Sequence, residues 1–293
     1  MESLVATVYF EKIIYHLLKK NGPDPEDFSM LLEFVNNIED TDIEAFRDAM
    51  EPILNPSTII GFSFTKPFGY NGDFFIIEKI YQHFVNPDIK YKKWDEFFHR
   101  LPAAIAVVNR KTLAIEILKK HNVLAAGNDR RVLILGSGPV TEVYEFFMQT
   151  AGTSLVFDLI DLDIRAINYA KLKNKNFNSH LTFHNQNVIR FVPEKKYKLI
   201  WSAGLFDYFK DKHFVYLLKK YYEYLDEDGE LIIGNFNIEN PSRKIMEILG
   251  DWFLYHRSKD ELYYFAHQAG IPAEKTEIIS EPLGINLFLR VRK

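Results

Sequence analysis

The segment Arg131-Val-Leu-Ile-Leu-Gly-Ser-Gly-Pro139 constrains this chain more than any other. An apolar run enters two closely spaced glycines, and Pro139 suits a first helical position. The segment therefore reads as a buried strand, a tight turn and a helix start. A second apolar run, Leu155-Val-Phe-Asp-Leu-Ile-Asp161, ends on an acid. Asp161 stands 23 residues beyond Gly138. That is close to the spacing at which an acid ending the second strand reaches the ribose of a nucleotide held over the glycine turn. Together the segments predict an adenosine-containing cofactor.

The surrounding pattern changes once along the chain. Up to about residue 125 the apolar spacing is helical, first at Val5, Val8, Tyr9, Ile13 and Leu17 up to Asn21-Gly22-Pro23, then at 24–37, 42–54, 72–84 and 101–121. Trp94, Phe97 and Phe98 are assigned to a short turn between the last two. The polar link Ala125-Ala-Gly-Asn-Asp129 then leads into strands alternating with helices. Strands are expected at 132–135, 155–160, 182–184, 199–202, 230–234, 276–280 and 285–291, with helices at 139–150, 164–173 and 213–225. This predicts an α/β fold with a mostly parallel sheet covered on both faces. Glu281-Pro-Leu-Gly284 is too short for a helical crossover, so the last two strands should pair antiparallel. The division expected is a helical domain at 1–125 and a Rossmann-like domain at 126–293.

Candidate site residues cluster behind the strands. Gly136 and Gly138 let the backbone approach a ligand, and the helix start beyond them favours an anionic group. Asp161 offers acceptors to a ribose diol. Asn187 follows the third strand, where its amide can meet an adenine edge. Ser202-Ala-Gly-Leu-Phe-Asp-Tyr208 leaves the fourth strand at the carboxyl end, where open sheets bind ligands. Within it Ala203 and Gly204 permit close approach, and Asp207 and Tyr208 are the groups to face an acceptor. Gly69-Tyr-Asn-Gly-Asp73 reads as a lid, with Tyr70 toward the reacting group. Arg110 is assigned to a carboxylate of the cofactor or the acceptor.

Composition narrows the classes. A net charge of −4 gives no electrostatic reason to expect nucleic acid, which would favour a clustered basic surface. The absence of cysteine removes disulfides, thiolate metal sites and cysteine nucleophiles from the chain. Its histidines lack metal-ligand spacing, so no metal site is expected. No apolar run is long enough for a bilayer span and no signal peptide is read, so the expected location is cytoplasmic. The glycine pattern argues against a nicotinamide enzyme, because Thr141 occupies the third fingerprint position.

The pattern from about 128 to 293 resembles the class I S-adenosylmethionine-dependent methyltransferases. Gly136-Ser137-Gly138 matches that family's glycine loop, Asp161 its ribose acid, Asn187 its adenine-side position, and Ser202–Tyr208 its segment after strand four. Val140 stands where the family usually has a third glycine, and Ile134 where it often has an acid. A narrower likeness rests on Lys66-Pro-Phe-Gly-Tyr-Asn-Gly-Asp73, Val108-Asn-Arg110, Ile233-Gly-Asn-Phe236, Asn240-Pro-Ser-Arg243, Asp251-Trp252 and Tyr255-His-Arg257. These resemble a group described as making 3-hydroxypalmitic acid methyl ester, an extracellular factor of bacteria. The resemblance implies a seven-stranded sheet with an antiparallel carboxyl-terminal strand and a helical amino-terminal domain. It implies S-adenosyl-L-methionine as cofactor, held by Gly136, Ser137, Gly138, Asp161, Leu162, Asn187, Val188, Ser202, Ala203, Gly204, Asp73 and Arg110. Tyr70, Asp207 and Tyr208 are the catalytic candidates, and the acceptor is a small molecule, such as a hydroxy fatty acid with its carboxylate. The competing readings are a non-catalytic module that binds the same cofactor and a nicotinamide-dependent oxidoreductase.

Overall fold

The computed structural model describes residues 12–125 and 130–293. They form two compact units: residues 12–105 with Asn240–Phe253, and Ala106–Glu239 with Leu254–Lys293. The link expected at Ala125–Asp129 lies largely outside the described residues, as do Val5, Val8 and Tyr9 of the first expected helix. The boundary found differs from a division at 125/126. Beyond Ile105, α7 (Pro102–Ala125) packs Ala114 and Leu118 on the sheet, and residues 240–253 go with the helices.

The first unit is helical. It contains α1 (12–19), α2 (Phe28–Asn37), α3 (Ile43–Ala49), α4 (Ile59–Thr65), α5 (Phe74–Tyr81), α6 (Ile89–Arg100), the start of α7 and α11 (Arg243–Leu249). Trp94, Phe97 and Phe98 lie on α6 rather than on a turn. Their spacing of three and four puts all of them on one buried face, and Asp88 caps the helix by accepting from the Lys90 amide at 2.9 Å. Asp24 precedes a single 3₁₀ turn, Pro25–Asp27, before α2 begins. The α11 segment is tied in by polar bonds as well as by its apolar face. Arg47 Nε donates to the Ile248 carbonyl at 2.7 Å, and Ser63 Oγ to that of Gly250 at 2.8 Å.

The second unit is a seven-stranded sheet in the order β3-β2-β1-β4-β5-β7-β6. The strands are β1 (Arg130–Leu135), β2 (Leu155–Asp161), β3 (Leu181–Asn185), β4 (Tyr197–Ser202), β5 (Leu225–Phe236), β6 (Thr276–Ser280) and β7 (Asn286–Arg292). β1 to β5 are parallel, and β7 runs antiparallel to both β5 and β6. Alternation along each strand makes two cores. Val132, Ile134, Trp201, Ile232 and Phe288 face α7, α8 (Thr141–Gln149) and α9 (Ile164–Lys173). Leu133, Leu135, Ile200, Ile233 and Leu289 face α10 (Asp211–Glu223) and α12 (Lys259–Gln268). No helix among the described residues is long and apolar enough to cross a membrane.

α8 starts at Thr141, two residues later than Pro139. Gly136, Gly138 and Val140 all have left-handed backbone, at φ 64°, 53° and 56°. Such residues cannot begin a right-handed helix. Val140 is β-branched, and that conformation costs it about 1–3 kcal/mol. Its side chain is fully buried in the α8-side core, which offsets the strain.

Gly234 lets β5 pass under an aromatic pair. The Trp201 and Phe288 rings stack at 5.2 Å, and a Cβ on Gly234 would stand 2.2 Å from the Ala203 carbonyl oxygen and 2.9 Å from the Phe288 ring. Gly234→Ala is expected to destabilise the protein by about 1–3 kcal/mol, read as a lowered urea midpoint with unchanged slope.

Candidate functional site

Most sequence-assigned residues meet at the carboxyl ends of β1, β2 and β4. The turn after β1 folds back on β2. The Ser137 amide donates to the Ile160 carbonyl at 2.9 Å, and the Gly138 amide to Asp161 Oδ2 at 2.8 Å. Asp161 Oδ1 also accepts from the Asp163 amide at 2.9 Å. The sequence reading kept the backbone of this turn for a close-lying ligand; the structure engages these two amides within the protein. Each carboxylate oxygen keeps acceptor capacity for a hydroxyl. Burial pushes the Asp161 pKa up, opposed by the amides of Asp163 and Gly138.

The space over the turn is open. A Cβ built on Gly138 meets nothing within 4 Å. Ser137 Oγ is buried and has no hydrogen-bond partner among the described residues. Leu162, beside Asp161, is an apolar side chain 68% exposed. Asn185 fixes that loop by donating its Nδ2 to the Asp161 and Leu162 carbonyls at 3.1 and 2.9 Å. Sequence reasoning missed Asn185, although it directly precedes the Gln-Asn loop. Asn187 Oδ1 accepts from the Ile189 amide at 2.8 Å, so part of its amide shapes the turn. Val188 is buried, and its carbonyl accepts from Tyr221 Oη at 2.7 Å.

The β4 side is built differently. Ser202 is buried and donates Oγ to the Leu135 carbonyl at 3.1 Å, a tie between strands. Gly204 makes room for Arg110: a Cβ there would stand 2.7 Å from Nη1. Arg110 is itself buried on α7. Asp207 is buried in the 3₁₀ turn Phe206–Tyr208, and its Oδ1 accepts from the Phe236 amide at 2.7 Å. Burial raises its pKa to about 7, against the pull of that amide and of the Arg110 and Arg257 charges. Tyr208, on the same turn, is partly exposed.

Arg257 supports this turn from behind. Its guanidinium donates to the Phe206 carbonyl at 3.3 Å, Asn235 Oδ1 at 2.8 Å and Asp211 Oδ1 at 3.0 Å, and also to the Phe209 carbonyl. It lies over the rings of Phe214, Tyr255 and Phe265. These bonds give Arg257 a structural task. Tyr70 and Asp73 belong to the helical unit, where Asp73 Oδ1 caps α5 by accepting from the Phe75 and Ile76 amides at 2.8 and 3.0 Å. Among the described residues no cluster of three or more histidine, aspartate or glutamate side chains could hold a metal ion.

No protein-family model matches the chain, and no curated protein matches it in sequence. Solved structures do resemble it. A possible exported protein from Bordetella parapertussis is 16% identical, with a TM-score of 0.64 over 75% of this chain and 79% of that one. The pyocyanin biosynthetic protein PhzM is 15% identical, with a TM-score of 0.50 over 78% of this chain and 64% of that one. A magnesium protoporphyrin IX methyltransferase from Synechocystis PCC 6803, solved with S-adenosylhomocysteine, is 13% identical, with a TM-score of 0.49 over 64% of this chain and 84% of that one. At such identities the likeness is one of fold: a seven-stranded α/β sheet closed by an antiparallel strand.

Arg257 joins the turn after β4 to β5 and α10, so its loss leaves several buried acceptors unsatisfied. Arg257→Met is expected to cost about 3–5 kcal/mol in urea denaturation.

Proposed function

We propose that the α/β unit binds S-adenosylmethionine and transfers its methyl group to a small acidic molecule. The observation that carries the cofactor assignment is the cradle at the ends of β1 and β2. Open space over Gly138, acceptor capacity on Asp161, the exposed apolar Leu162 and the partnerless Ser137 Oγ together fit an adenosyl group with a polar tail. Asp161 would hold the ribose, Leu162 and Val188 the adenine faces, Asn187 the adenine edge, and Ser137 the amino-acid end. The fold shared with the structures above agrees with this reading.

When bound, the cofactor supplies a methyl group on a positively charged sulfur, already a strong electrophile. The chain's own work is then to orient the acceptor and exclude water, which contributes up to roughly 7–11 kcal/mol. Arg110 is the group for an acidic acceptor. Its guanidinium lies against Gly204, at the strand end nearest the loop that carries Asp207. A carboxylate paired with it is already ionised and needs no base. The carboxylate of a hydroxy fatty acid is one member of this class. Tyr208, on the Asp207 turn, lines the same side in this reading.

A second reading follows from the raised pKa of Asp207. With a hydroxyl acceptor, the Asp207 carboxylate takes the proton as the carbon–oxygen bond forms. The two readings predict opposite pH dependence. Above about pH 7 Asp207 ionises and competes for Arg110, so kcat/KM for an acidic acceptor should fall through that pH. With a hydroxyl acceptor, kcat/KM should instead rise through it, because the deprotonated form is the base.

Titration calorimetry tests the cofactor directly. S-adenosylhomocysteine should bind the wild type, and NAD should not. Asp161→Asn should weaken S-adenosylhomocysteine binding by about tenfold or more, since one amide oxygen replaces two carboxylate oxygens. Equal affinity in the variant removes the assignment. Transfer of labelled methyl to a panel of carboxylic acids, 3-hydroxy fatty acids included, tests catalysis; binding without transfer to any member leaves a non-catalytic module.

A further inference from the structure

Asn286 opens β7, where it pairs with Phe236, the last residue of β5. It is 0% exposed, and neither its Nδ2 nor its Oδ1 has a hydrogen-bond partner among the described residues. Its backbone is engaged on both sides. The amide donates to Glu281 Oε1 at 3.1 Å, and the carbonyl accepts from the Glu281 amide at 3.3 Å. Glu281 Oε2 accepts from Asn109 Nδ2 at 2.9 Å, and Asn109 directly precedes Arg110 on α7. Strand alternation puts the Asn286 side chain on the face of Phe288, which is the face that α7 covers. The sheet order β4-β5-β7 then sets Gly204, Phe236 and Asn286 at the same sheet end.

A buried carboxamide with both atoms unpaired destabilises the strand that carries it. Val or Leu would serve packing better at this position. Ser137 Oγ, also without a hydrogen-bond partner among the described residues, lies in the proposed cofactor cradle.

We propose that the Asn286 carboxamide is a recognition group for the methyl acceptor, and that it takes a planar group with a donor and an acceptor on adjacent atoms. A lactam, a carboxamide or the edge of a nitrogen heterocycle has this form. The proposal rests on the methyl-transfer reading above and adds a second point of contact to Arg110. A carboxamide edge presents N–H and C=O side by side, so it meets such a partner through two parallel hydrogen bonds. Asparagine reads an adenine edge by the same complementarity. A cation at one point and an amide edge at another orient a planar acid, where the cation alone would leave it free to turn.

The test has an arm independent of any ligand. Asn286→Leu and Asn286→Val remove the two orphan atoms, so each variant without ligand should melt higher than the wild type, by about 2–4 °C. If both melt lower or fail to fold, the amide is satisfied inside the protein, by a buried water for example, and the proposal is overturned. The second arm uses calorimetry on protein saturated with S-adenosylhomocysteine. The probes are 2-pyridone carboxylates, with the acid at each ring position, and benzoate. At least one pyridone should bind the wild type tenfold or more tighter than benzoate, and Asn286→Leu should cut that advantage below twofold. Equal binding of pyridones and benzoate by the wild type overturns the proposal. A wild type that does not bind S-adenosylhomocysteine removes the methyl-transfer reading instead, and the melting comparison still decides the role of the amide.

Discussion

The carboxylate of Asp161 holds the candidate site together. One oxygen accepts from Gly138 in the turn after β1, and the other from Asp163 in the turn after β2. The two loops that flank the first strand pair are thereby locked to one half-buried carboxylate. This arrangement explains the unusual backbone nearby. Three left-handed residues within five positions, Val140 among them, need an external partner to hold them. It also explains why burial raises the pKa of Asp161 while its amide bonds resist that rise.

The β4 side relies on a buried cation instead. Arg257 gathers the carbonyls of Phe206 and Phe209 with the side chains of Asn235 and Asp211. Asn235 in turn donates to the Tyr255 carbonyl, and the Tyr255 amide donates to the Asp207 carbonyl. The turn that carries Asp207 is thus fixed from β5 and from the chain after α11. Polar groups satisfied among themselves form the rear of the site. Ser137 Oγ and the Asn286 side-chain carboxamide, at the same end of the sheet, have no hydrogen-bond partner among the described residues. Such a contrast is what a stability–function compromise produces: rigid supports, and recognition groups left short of partners.

Legibility in the sequence followed burial. All seven strands were readable, and the central parallel ones, β1, β4 and β5, are the apolar runs expected of strands covered on both faces. Asp161 was readable for the same reason, as an acid closing such a run. α6 was misread as a turn, because Lys90, Lys92, Lys93 and Asp95 interrupt an aromatic face that is regular only when counted at three and four. α4, α11 and α12 were not assigned, since their burial depends on partners distant in the chain: Gly250 for Ser63, Arg47 for Ile248, and Phe214 for Phe265. Asn286 gave no signal, because an asparagine at a strand start looks like an ordinary turn residue.

The sequence by itself determined the alternation of strand and helix, the position of the glycine turn and the acid that answers it. These are local patterns of apolar spacing and backbone freedom, and neighbouring residues suffice to express them. Tertiary structure decided where each polar group directs its hydrogen bonds. It turned the Ser137 and Gly138 amides inward, gave Arg257 a supporting task, placed Arg110 against Gly204 and left the Asn286 side chain without a hydrogen-bond partner among the described residues. Hydrogen bonding is directional and short-ranged, so its outcome depends on which distant segments the folded chain brings within about 3 Å.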